Sequence, residues 1–155
     1  MKETPSELRI HNNMKAGYLT VEGFLGKDDR HFHDIIREDH AVLQKISISA
    51  VQLAERMEYF TGKAFEIYDG AIIIDEKFRV EYKSYRGKII CPFAHPGVFR
   101  KGEIFFKNLE NGIELCWTPL NIHMIAEHGF FEGKGSKHRL DPVILKQALF
   151  GNGDL

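Results

Sequence analysis

The stretch EIFFKNLENGIELCWTPLNIHMIAEHG, residues 103–129, constrains this chain more than any other. It must reverse direction and then change its apolar period from two to about 3.6. Glu110-Asn111-Gly112 between two strand-like runs is a hairpin signal. A two-residue Asn-Gly turn would pair Glu110 with Ile113 and Asn108 with Leu115, mixing polar and apolar side chains on one face. A three-residue loop with a left-handed Gly112 instead pairs Leu109 with Ile113, Lys107 with Leu115 and Phe105 with Trp117. That register gathers the apolar residues, so it is the expected one. Near Trp117 the hairpin is apolar on both faces, which implies a cover on each. Thr118 then caps a helix, Pro119 occupies its first position and Gly129 stops it.

The rest of the chain repeats both grammars. Asp141-Pro142 and Gly151 bound a last helix in the same manner. Ser49 and Gln52 form a capping-box pattern before Leu53, Ala54, Met57 and Phe60, with Gly62 as the expected stop. An earlier helix is expected over about 29–46, and strands over 18–26, 66–75, 77–85 and 88–91. Helices and strands segregate along the chain, which predicts an α+β fold. An N-terminal helix pair would pack on an antiparallel sheet of about five strands, with two short C-terminal helices closing it. Residues 1–16 read as a flexible polar lead-in and 17–151 as a single domain; at 155 residues no staple is needed for a core.

The net charge of -1 gives no global pull toward nucleic acid or an anionic membrane. The start MKETPSELRIHNNMK lacks the apolar core of a secretory signal, and the longest apolar run, AIII at 71–74, is far too short to span a bilayer. A cytoplasmic location is therefore expected, with Cys91 and Cys116 as reduced thiols and no membrane partner.

Cys91, His95, His123 and His128 are the candidate metal ligands. A thiolate at a strand end and imidazoles on a helix suit a tetrahedral zinc-type ion. Leu120, His123 and His128 give L-x2-H-x4-H, which resembles the helix of a C2H2 zinc finger over residues 91–128. The pattern departs where a second knuckle cysteine would stand, since 94 is alanine and 96 proline. The gap between its halves is also about twice the usual dozen or so residues. Membership of that family is not assigned. On a regular helix His123 and His128 lie roughly 140° apart, Leu120 and Met124 forming one apolar side and Ile122, Ile125 and Ala126 the other. Uniting the histidines is expected to require a last turn unwound toward 3₁₀ geometry at Gly129. A helix packed on two sides, with each histidine hydrogen-bonded, is the competing reading, and chance ligand patterns are common enough to favour it. Cys116 is the reserve ligand for His95, though a small buried hydrophobe explains it better.

The loop GFFEGKGSKHR fails the Walker pattern in spacing and in following a helix. Its amides at Gly133, Gly135 and Ser136, with Lys134, Lys137, His138 and Arg139, could still bind an anion. With Glu127 these residues make a candidate small-ligand site. Asp39 and His40 interrupt an apolar helical stripe, where structural satisfaction is expected. KFRVEYKSYRGK interleaves basic and aromatic residues, but strand alternation turns Phe78, Val80 and Tyr82 toward the core, so nucleic acid is disfavoured as a partner.

Two function classes follow. One is a domain with a zinc-type subsite and a binding or scaffolding role. The other is a small-ligand binder or enzyme with its cleft near residues 129–139, worked by His123, Glu127, His128 and Lys134. A single-strand nucleic-acid binder ranks third, and a homo-oligomer stays possible.

Overall fold

The computed structural model describes residues 4–67 and 70–151. Helices α1 (Pro5–Asn13), α2 (Phe32–Lys45) and α3 (Ala50–Phe65) precede strands β1 (Ala71–Ile74), β2 (Phe78–Ile90), β3 (Val98–Asn108) and β4 (Glu114–Trp117). Helices α4 (Pro119–His128) and α5 (Pro142–Phe150) follow. The strands form one antiparallel meander in the order β1-β2-β3-β4, so the fold mixes helices with an antiparallel sheet.

The sheet has four strands rather than about five, for two reasons. The runs expected as separate strands at 77–85 and 88–91 are joined in β2, which continues past a register shift between Ser84 and Lys88. Residues 18–26 form no strand; Gly23 and Gly26 sit there at positive φ, which interrupts extended pairing. Of the stretch expected as the first central strand, Tyr68 and Asp69 lie outside the described residues.

The segment expected as a lead-in carries α1 among its described residues, capped by Thr4, and Met14 just beyond it is fully buried. Both halves of the Ser49–Gln52 capping box form, but α3 runs through Gly62 to Phe65, because its buried stripe continues to Thr61 and Ala64. Helix α3 lies on β1 and β2 and meets α4 and α5, whereas the principal contacts of α2 are to α5. The expected N-terminal pair is thus divided between two neighbours.

The hairpin register differs by one residue from the expected one: Ile104 pairs with Trp117, Phe105 with Cys116 and Phe106 with Leu115. Asn108 explains the difference. Its Oδ1 accepts from the Glu110 and Asn111 amides, while its Nδ2 donates to the Ala148 carbonyl. That side chain builds a four-residue turn and ties it to α5, outweighing the apolar count. The resulting faces separate cleanly: Ile104, Phe106 and Trp117 point into the core, and Lys107 meets Glu114 at 3.5 Å.

Two apolar cores result. The larger joins Leu53, Met57 and Phe60 of α3 to Val80, Ile104, Phe106 and Trp117. Within it Trp117 donates from Nε1 to Thr61 Oγ1 at 2.9 Å, so its polar atom is satisfied. The smaller gathers Met14, Phe24, Phe32, Ile35 and Cys91. Helix α4 is the wall between them: Ile122 and Ile125 face the larger, Leu120 and Met124 the smaller. The two-sided apolarity of this helix is met as expected. Phe78 and Val80 are buried and Tyr82 is half-buried, as strand alternation implied. Among the described residues, no helix is long and apolar enough to cross a membrane.

Candidate metal centre

Cys91 follows directly on β2 and is fully buried in the smaller core. The chain turns sharply there: the Ala94 amide donates to the Cys91 carbonyl at 3.1 Å, with Ala94 at φ 60°. This turn aims the Phe93 and His95 amides at the Cys91 sulfur. Such N–H···S bonds favour a thiolate, yet burial outweighs them and pushes the thiol above its usual range. A buried thiol held protonated is no nucleophile. Beside a bound cation the same sulfur would ionise, with two donors in place to support it. Asn13 at the end of α1 fastens the turn by donating to the Pro92 carbonyl at 3.1 Å.

Helix α4 supplies the imidazoles. It is capped reciprocally by Thr118 and Asn121 and ends on Gly129 at φ 63°, a left-handed cap that glycine adopts without strain. The helix is α-helical through His128. The expected unwinding is therefore not what unites the histidines; long imidazole side chains converge from a regular helix. Their ring centroids lie 5.3 Å apart. One ligand atom from each of Cys91, His123 and His128 lies within 4.8 Å of the others, so the three could hold a metal ion. Phe93 stacks on His128 at 4.0 Å with rings 7° from parallel, and Phe99 packs against His123 at 4.6 Å.

His95, the fourth expected ligand, sits exposed at the rim, its ring 4.7 Å from His123 and 5.7 Å from His128. Its Nδ1 lies 3.1 Å from the Pro96 carbonyl. A carbonyl only accepts, so Nδ1 is the donor in this contact.

The electrostatics of the cluster point the same way. Nε2 of both His123 and His128 is buried without a hydrogen-bond partner. Burial lowers both histidines from their ordinary value; His95 adds to this at His123, and His123 and His95 at His128. They are held as neutral imidazoles, the form that ligates metals. Leaving two such atoms unpaired costs about 1–3 kcal/mol each, which a cation would recover.

The small-ligand candidates do not converge. Glu127 is exposed on α4. Lys134 lies 4.0 Å from Glu38, and Ser136 donates to Glu132. Arg139 grips Asp39 through both terminal nitrogens and also donates to the Glu132 carbonyl. Asp39 is thereby satisfied, and His40 is exposed. Two of the three amides expected to bind an anion are occupied: Gly133 donates to the Phe24 carbonyl and Ser136 to the Gly133 carbonyl, while the neighbouring Lys134 amide donates to Asp28. This loop lies so close to residues 24–27 that a Cβ at Gly26 or Gly133 would collide with backbone. Of the five, His138 alone reaches a second chemical cluster, placing Nε2 2.9 Å from Glu103.

Cys116, the reserve ligand, belongs there too. Glu103, Cys116 and His138 form a second group close enough to hold a metal ion. Sequence spacing does not mark Glu103, because the expected register pairs Phe105 with Trp117; only the observed pairing of Phe105 with Cys116 brings that thiol to the face of Glu103. Glu132 is not marked either, since its flanks Phe131 and Gly133 hint at burial only weakly.

No family model matches the chain, and no curated protein or solved structure matches it.

Proposed function

We propose that this chain is a zinc-binding structural domain with a binding or scaffolding role, its ion held by Cys91, His123 and His128 with His95 as the fourth ligand. The observation that carries this reading is that His123 and His128 each bury an unpartnered Nε2 and each bring a ring nitrogen within 4.8 Å of the Cys91 sulfur. One thiolate and three imidazoles are a donor set that suits zinc and disfavours calcium or magnesium. Four protein donors leave no open position for substrate, which argues for a structural ion rather than a catalytic one. The ion would clamp the 91–95 turn to α4, and with it the smaller core to the wall helix. A tetrahedral site needs donor atoms about 3.3–3.6 Å apart, so the ligands would draw together on loading.

Elemental analysis of purified protein tests the reading directly. It expects one equivalent of zinc, lost in Cys91→Ser; a sample without stoichiometric zinc, and without uptake when zinc is added, overturns it. The enzyme alternative needed His123, Glu127, His128 and Lys134 to share the cleft by the 129–139 loop. The two histidines face Cys91 instead, and Lys134 lies near Glu38.

A further inference from the structure

A cavity of about 400 Å³ opens between residues 20–24, the β2–β3 sheet and the 132–138 loop. That volume suits a small organic molecule. Phe24, Ile89 and Leu120 supply apolar wall, while Glu22, Glu103, Glu132, Arg100, Lys101 and Lys137 supply charge.

The charges are unequal in what they can still do. Glu103 is saturated: it accepts from Tyr85 Oη at 2.7 Å and Cys116 Sγ at 3.2 Å, meets His138 Nε2 at 2.9 Å, and has Lys137 Nζ at 3.9 Å. That ammonium also repels a cation from the Glu103–Cys116–His138 group. Glu132 is 3% exposed and is held by Asn121 Nδ2 at 2.6 Å and Ser136 Oγ at 2.9 Å. Burial pushes its carboxyl up to about 7, so much of its charge is absent at neutral pH. Its backbone sits at φ 69°, a left-handed conformation uncommon outside glycine and often kept where a site requires it. Arg100 and Lys101 are different. Both are exposed, and among the described residues neither makes an ion pair. Lys88 lies opposite Arg100 on the ladder and adds to the same field. Glu22 is the single carboxylate of the lining left unpaired against them.

We propose that this cavity binds a small organic anion, a carboxylate or phosphate monoester, with its charged head at Arg100 and Lys101. Its apolar body lies against Phe24, Ile89 and Leu120. The Glu103–His138 pair braces the wall behind it. This site shares no ligand with the zinc centre and does not rest on it.

Amide NMR titration of the full chain with phenyl phosphate, benzoate, inorganic phosphate and benzylammonium tests the proposal. Phenyl phosphate or benzoate is expected to shift Gly102, Glu103, Lys137 and His138 saturably, with an affinity of about millimolar or better. The double variant Arg100→Ala/Lys101→Ala is expected to weaken this about tenfold or more while melting as the wild type does. Leu120→Ala should weaken both aromatic anions, and inorganic phosphate should bind more weakly than phenyl phosphate. No saturable shift with either anion, equal binding of benzylammonium, or undiminished binding in the double variant overturns the proposal.

Discussion

Two clusters in this molecule each join a cysteine to histidine chemistry within 4.8 Å, yet their atoms are in opposite conditions. At Cys91 the Nε2 atoms of His123 and His128 are buried and unpartnered, and among the described residues the group holds no carboxylate. At Cys116 each donor is already spent on Glu103, whose carboxylate collects a phenol, a thiol, an imidazole and a nearby ammonium. Proximity alone does not mark a metal centre. The state of the hydrogen bonds does, because a ligand atom already satisfied gains little from an ion, while an orphaned one gains its whole lost partner.

The largest expected effect comes from metal itself. With free zinc at a thousand times its dissociation constant, chelation should lower stability by about 4 kcal/mol. For a domain of this size that is a fall in melting temperature of roughly 10 °C, readable by calorimetry. If the two clusters differ as described, Cys91→Ser and His128→Ala should bind no zinc, whereas Cys116→Ser should keep the full equivalent. Zinc loss in Cys116→Ser with retention in Cys91→Ser would reverse the comparison.

Next in size is Glu103→Gln, expected to cost about 1–3 kcal/mol in urea unfolding, because an amide cannot accept from so many donors. Its pH signature has a definite sign. Burial works to raise Glu103, but hydrogen bonds from Tyr85, His138 and Cys116 prevail and hold it at about 2, against 4.5 unfolded. Its contribution is therefore full above pH 4.5 and disappears as pH falls toward 2. Wild type should lose more stability than Glu103→Gln across that window.

Smaller is the acid response of the metal-free histidine cluster. His123 and His128 are lowered from 6.5, so the unfolded chain binds protons first. Stability is full above pH 6.5 and falls as pH drops through the folded values. His128→Gln should flatten that slope in thermal melts run with chelator. A response of opposite sign belongs to Glu132, whose shift is similar in size to that of Glu103. Raised from 4.5 to about 7, it contributes fully below pH 4.5 and loses that contribution as pH rises through 7. Glu132→Gln should therefore gain on wild type between those values; an unchanged pH profile would remove Glu132 from the titrating groups.

Much of the centre was legible where the signal was local. Capping at Thr118 and Gly129, the two apolar sides of α4 and the four candidate ligands all follow from short spacings. The hairpin register was not, because Asn108 chooses it through a bond to Ala148, forty residues away. The strand count failed at the β2 register shift, where three residues near Gly87 could be read equally well as a turn.

By itself, then, the sequence determined the caps of α3, α4 and α5, where α4 starts and stops, and which of its sides are apolar. These depend on backbone preference and on period, which neighbours in the chain settle among themselves. Tertiary structure alone decided that Cys91 and its turn meet the histidines of α4, and that Glu103 absorbs Cys116 and His138. Whether a polar atom is orphaned or satisfied depends on groups that only folding brings within hydrogen-bond reach.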